Sequence, residues 1–265
     1  MHKYFALFKT NLALAIEYRS NLIGIIVTDL VGFASIAVLW LSVFRTQSTL
    51  GGLTMSDTVL YYLFVPLIGF ITQVNMAENV ASEIRKGILS THLLKPQNIW
   101  LQYIVKWVAA KVNALIVITP VYILVFLVVG AVYPTHKFSF TLIGVAVIIG
   151  LLAFVLSILM DLFFAWTGFW LDDIWWFRHF KYIIFGVLGG ASFPFEFLPH
   201  FLRTVVDILP LKFMYYVPIQ YLLGNRPLSM IPIDLLNIAL WGGLIFACAQ
   251  ILWMKGITKY EAYGN

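Results

Sequence analysis

Charges set inside long apolar runs are the residues of this chain whose type and place could do chemistry. Asp29 and Asp161 interrupt runs that are otherwise compatible with lipid, and Lys106 and Lys111 stand in the polar approach to a third. A charge in hydrocarbon is expensive, so such a group pairs with an opposite charge or lines a wet cavity. At about 1.5 Å per residue, Asp29 lies roughly 13 Å into the first run and Asp161 roughly 15 Å from the end of the fourth. Two roles are open. Asp161 or Asp29 pairs with Lys111 or Lys106, or lines a polar cavity open to the cytoplasm; a buried pair that only holds helices together fits the same residues.

Other reactive types are weaker leads. Asp172-Asp173 could hold a divalent cation, but only Arg178 and His179 stand near, and a solvated turn accounts for them more simply. The five histidines are dispersed, with no His-Glu-x-x-His motif, so no metal site is expected. Gly190-Ala191-Ser192-Phe193 matches half of a serine-hydrolase elbow and lacks its closing glycine. No Gly-x-x-x-x-Gly-Lys-[Ser/Thr] phosphate loop occurs, so neither a nucleotide cofactor nor an enzyme activity is expected of these residues. The single cysteine, Cys248, sits in an apolar run and reads as a packing residue.

Composition says what must position these groups. Of 265 residues 62% are hydrophobic and 11% charged, with mean hydropathy +0.92. A soluble domain carries about 25% charge. This chain has too little polar surface for a globule in water and reads as an integral membrane protein. Apolar runs of about 20 residues point to helices rather than a barrel of alternating strands. The net charge of +5 is scattered, which argues against a nucleic-acid partner.

Residues 3–19 carry Phe5, Phe8, Leu12 and Ile16 as one stripe, with Lys3, Lys9, Glu17 and Arg19 between. This suits a helix lying in the membrane interface. Spans are expected at about 21–44, 58–77, 112–133, 138–170, 182–195 and 235–254. Pro66 and Gly69 predict a bend in the second. Trp100, Tyr103, Lys106, Trp107 and Lys111 read as an interfacial belt ahead of the third. The fifth run has only 14 uncharged residues, and 171–181 reads as a turn at the interface. Four prolines break 196–230, which predicts short helices dipping into the membrane and returning.

The polar stretch 79–95 is the longest early interruption. Val80, Ile84 and Ile88 recur every four residues, with Leu89 and Leu93 alongside, and Glu83, Arg85 and Lys86 opposite. With Asn79 or Ser82 as cap and Pro96 as terminator, one short amphipathic surface helix is predicted. A solvated connector whose charges only set orientation is the plainer alternative. Of the 17 Lys and Arg, only Arg45, Lys137, Arg203, Lys212 and Arg226 fall on the other side from this stretch. The positive-inside bias puts it and both termini in the cytoplasm.

The run Glu83-Ile84-Arg85-Lys86-Gly87-Ile88-Leu89-Ser90-Thr91-His92-Leu93-Leu94-Lys95-Pro96, following the second of six spans, resembles the coupling-helix region of ABC-2 type exporter permeases. The resemblance covers nearly the whole chain as one permease domain, 1–265. It implies an all-α fold: an N-terminal elbow helix (3–19), six spans, a cytosolic coupling helix (79–95) and re-entrant helices before the last span (196–230). It implies one half of a membrane dimer, with a second copy or a paralogous permease, in the plasma or inner membrane of a bacterial cell. Two cytosolic ATPase subunits would supply ATP and magnesium; none is expected on this chain. Their contacts would be Val80, Glu83, Ile84, Arg85, Lys86, Gly87, Ile88, Leu89 and His92, with Phe5, Phe8 and Lys9 of the elbow. Arg85, Lys86 and Glu83 would pair with partner charges, and Gly87 would let a partner backbone approach. The abundant aromatics (22 Phe, 13 Tyr, 9 Trp) point to a bulky or amphipathic substrate. Two rivals are a secondary transporter using Asp29 and Asp161, and a lipid transferase using Asp172-Asp173 with a metal. The first would usually show internal repeats, and the two halves share no convincing similarity; the second would need further polar residues, and only Arg178 and His179 are near.

Overall fold

The computed structural model describes residues 2–17, 19–96, 98–132 and 139–260. It is built of helices, apart from one two-residue hairpin rung, Thr49–Leu50 against Leu53–Thr54. Gly51 and Gly52 turn that hairpin with φ of 55° and 86°, a region that costs other residues.

Helix α1 (His2–Glu17) packs along α6 (Ile99–Val132), and α2 (Arg19–Val43) against α3 (Met55–Thr72). α3 begins with a capping box: the Asp57 amide donates to Thr54 Oγ1, and the Thr54 amide to Asp57 Oδ2. Pro66 lies within α3 and Pro120 within α6. Then follow α4 (Ala77–Arg85), α5 (Leu89–Leu93), α6, α7 (Phe140–Trp166), α8 (Trp175–Leu188), α9 (His200–Ile208), α10 (Tyr216–Leu222) and α11 (Ile231–Lys259). At about 1.5 Å per residue α6 reaches about 51 Å, well beyond a hydrocarbon core of about 30 Å, whereas α8 reaches only about 21 Å. Three described stretches, 55–85, 140–169 and 228–259, are long and apolar enough to cross a membrane. Val31–Val43 is a shorter apolar helix.

α7 is the spine, and two apolar cores stack along it. Ala146, Ile149, Ala153 and Leu156 join α3, α10 and the 3-10 turn Pro210–Met214 in one. Ile158, Leu162, Ala165 and Trp166 join α4, α6 and α11 in the other. α10 is enclosed on every side, while α9 keeps Phe201, Val205 and Ile208 outward and buries Val206.

Three expectations are corrected. The stretch 79–95 is two helices, because Gly87 takes φ of 72° and ends α4. The break turns the apolar face: Val80, Ile84 and Leu89 are buried, while Ile88 and Leu93 point outward. The fifth helix starts at Trp175, not Tyr182, and stops at the Gly189-Gly190 pair, so Lys181 lies mid-helix rather than in a turn. Finally, Tyr103 is buried and Trp100 packs edge-on to Trp166 at 5.5 Å, so they close the lower core instead of forming a belt.

Candidate functional site

The polar groups gather where α4 starts. Asp161 of α7 and Lys181 of α8 form an ion pair with side chains that are 0% and 3% exposed. Lys181 also donates to the Val74 carbonyl. Asp161 Oδ2 accepts from the amides of Met76 at 2.7 Å and Ala77 at 3.3 Å. Those amides open α4, and helix-opening N–H groups have no partner within their own helix. A carboxylate there satisfies them and meets the positive end of the helix dipole. Asp161 from a distant helix therefore caps α4; neither Asn79 nor Ser82 does, and no side chain of the cap residue Met76 takes part.

A cavity of about 80 Å³ adjoins the pair, lined by Asn75, Glu78, Asn79, Asp161, Phe177 and Arg178 among others. Arg178 Nε lies 3.6 Å from Glu78 Oε2 across it. So Asp161 lines a polar cavity, but its partner is Lys181 and not Lys106 or Lys111. Lys106 is exposed, and Lys111 donates to the Phe70 carbonyl near the end of α3. Asp29 lies on α2, and its side chain is outside the described ones.

The residues of 80–92 divide. Glu83 Oε2 accepts from the Tyr103 hydroxyl at 2.6 Å and lies 3.6 Å from His92 Nε2. His92 Nδ1 lies 3.1 Å from Gln102 Oε1. Arg85 donates to the Asp172 carbonyl and sits 3.5 Å from Asp173 Oδ1. Glu83 and Arg85 thus each have partners within the chain and keep part of their side chains exposed. The Ser90 amide donates to the Tyr260 hydroxyl at 3.1 Å, which brings the end of α11 under α5. Lys86, Ile88, Leu93, Leu94 and Lys95 stay exposed, Leu94 at 86%. Gly87 makes the turn on which this tip stands. On α1, Phe5 and Lys9 are exposed and Phe8 is half-buried.

Asp173 also accepts from the Trp175 amide at 2.9 Å, capping α8, and no cluster of three metal-ligating side chains occurs among the described residues. Two sites were missed in the sequence. Lys181 sits between Phe177 and Phe185, all buried on one face at four-residue spacing, a pattern that could have revealed it. At the opposite end, Arg226 grips the fully buried Asp234 with two bonds of 2.7 and 2.6 Å, and the Tyr221 hydroxyl adds a third at 2.8 Å. The Tyr221 hydroxyl is itself buried and donates to that carboxylate.

Comparison with curated proteins and with solved structures gives no match. The sequence model of the family described as ABC-2 family transporter protein matches residues 30–264, which is most of the chain, and this multi-pass membrane protein therefore belongs to the ABC-2 transporters as a permease.

Proposed function

We propose that the chain is the membrane subunit of an ABC exporter, with six spans, both termini cytoplasmic and α1 as an interfacial elbow. Two copies, or this chain and a paralogue, form the pathway, and two cytosolic ATPase subunits drive it. The tip formed by Lys86, Ile88, Leu93, Leu94 and Lys95 is the part the ATPase grips. That exposed apolar and basic tip carries the reading, because the polar residues beneath it are already engaged and leave it as the free surface. α9 and α10 form the re-entrant segment, and α8 turns Trp176, Phe180, Tyr182 and Ile183 outward toward a bulky or amphipathic cargo or the second subunit. Asp161, bound by Lys181 and two amides, is poorly placed to exchange an ion, which weakens the secondary-transporter alternative.

The test is capture from the native membrane in mild detergent, with a tag beyond residue 265. A phosphate-loop ATPase should come down with the unmutated chain and be lost with Lys86→Glu, Leu94→Glu. Both side chains are exposed, so each change should alter stability by no more than about 0.5 kcal/mol. A second permease in the eluate would establish a heterodimer. If the unmutated chain brings down no ATPase, the exporter reading fails.

A further inference from the structure

α4 follows α3 in sequence but is not its continuation. Residues 73–76 between them are non-helical. α4 packs chiefly on α7, on α8 and on the 3-10 turn Thr167–Phe169. A side chain at Gly168 would run into Ala81 at 2.8 Å, so the two backbones are in close contact. Charged links run from the start of α4 to its end: Asp161 and Lys181 at the amides, Glu78 with Arg178, and Arg85 with the Asp172-Asp173 turn. Most of them reach α8 or the turn that leads into it. α8 itself is short, and beyond it lies Gly190 with φ of 94°, so its far end abuts a sharp bend.

We propose that the buried Asp161–Lys181 pair is the joint through which α4 drives α8. This rests on the permease reading. Push on the tip enters α4, whose first amides are fastened to Asp161. Lys181 is fastened to the same carboxylate and to the Val74 carbonyl just ahead of α4. Displacing α4 alone would strip a buried carboxylate of its donors and a buried ammonium of its acceptors, and leaving either charge unpaired is severely unfavourable. So residues 74–76, α4, the end of α7 and α8 move as one body against α3, flexing at Gln73, where α3 ends, and at Gly189-Gly190. Packed elements of this kind shift between discrete arrangements instead of deforming smoothly. Lys181 acts as a positioning residue: it touches no cargo and transmits movement to the helix that presents Phe180, Tyr182 and Ile183.

The experiment uses the permease–ATPase complex as captured, in a Cys248→Ser background with a nitroxide attached through Ile183→Cys on the outward face of α8. Adding ATP should change the EPR spectrum of the label. In the double variant Asp161→Asn, Lys181→Met, the amide oxygen can still cap α4 and the methionine keeps the stem packed. The ATPase should still co-purify and hydrolyse ATP, while the spectral response falls roughly fivefold or more. The single variant Lys181→Arg, which keeps the pair with Asp161, should retain the response. An undiminished response in the double variant overturns the proposal, as does a background complex whose label ignores ATP. If the double variant does not fold, hydrogen exchange on the unmutated complex decides. The amides of Met76 and Ala77 should stay protected with and without ATP, and loss of their protection on ATP binding overturns the joint. Failure of the unmutated chain to capture any ATPase is a separate result, and it removes the permease reading and this joint together.

Discussion

At the residue scale, two of the described ion pairs, Asp161–Lys181 and Arg226–Asp234, sit buried at helix starts. Asp234 shows the cost of undoing one. It is fully buried in the first turn of α11, and Arg226 and Tyr221 supply its donors. Arg226→Ala strands that carboxylate, which costs about 3–5 kcal/mol for a buried pair. The guanidinium keeps 22% exposure, so the lower part of that range is expected. Thermal unfolding in detergent should show a clear drop in midpoint, and Arg226→Lys a smaller one, since an ammonium cannot make the two-pronged contact. An unchanged midpoint for the alanine variant would contradict this account. The pair was not legible in the sequence. Arg226 and Asp234 are separated by a 3-10 turn at Leu228–Met230, and no helical period connects them. Asp161 was legible as a costly group in an apolar run, but its partner was not. Lys181 lay next to Arg178 and His179 and passed for a surface charge, until the face it shares with Phe177 and Phe185 was fixed.

At the scale of elements, the break at Gly87 decides the shape of the tip. The four-residue apolar spacing of Val80, Ile84 and Ile88 suggested a single helix, and spacing alone carries no sign of a left-handed residue between Arg85 and Leu89. α4 closes with the Lys86 amide bonded back to Ser82 and the Gly87 amide to Ile84, and Gly87, with φ of 72°, then turns the chain off the helix axis toward α5. Gly87→Val should therefore cost about 1–2 kcal/mol locally, because a β-branched side chain resists the left-handed region. α5 would swing out of register, pulling Leu89 from its fully buried site and Ser90 from Tyr260. Proteolysis should then cut within 86–96 in the variant and spare the native chain, whereas Lys86→Ala should leave the cutting pattern unchanged. Equal resistance of both variants would show that the turn does not depend on glycine. The long elements behaved differently. α2, α7 and α11 were legible because each is a run of more than 20 residues with few polar interruptions, and lipid demands that length.

At the scale of the whole molecule, the difficulty is how the chain crosses between α7 and α11. α7 and α8 meet at the end that carries α4, and α11 finishes there, with Tyr260 beside Ser90. α11 must therefore start at the other end, and α8, at about 21 Å, is too short to reach it alone. The irregular residues that follow make up the rest. Unpaired backbone groups are not tolerated in lipid, so irregular chain at that depth has to be satisfied by protein. Here it is: Tyr61 of α3 donates to the Gly190 carbonyl at 2.6 Å and Tyr62 to the Ser192 carbonyl at 2.7 Å. Tyr61 is six residues into α3, so the bend at Gly190 lies roughly 9 Å below the start of that helix. On the six-span reading, single cysteines in a Cys248→Ser background at Lys86, Asp172 and Lys255 should resist an impermeant maleimide in intact cells and react after the membrane is opened. Those at Ser48 and Asn225 should react from outside, as all five positions are exposed. If Asn225→Cys instead behaved like Lys255→Cys, the segment from α8 to α10 would have to return without crossing, and α11 could not be the sixth span. The Tyr61→Phe, Tyr62→Phe variant sharpens the test: with the buried Gly190 carbonyl left bare, at about 1–3 kcal/mol, and the part-buried Ser192 carbonyl at less, the Asn225→Cys thiol should lose its sidedness before the one at Ser48→Cys does, because only the former depends on the irregular half of that crossing.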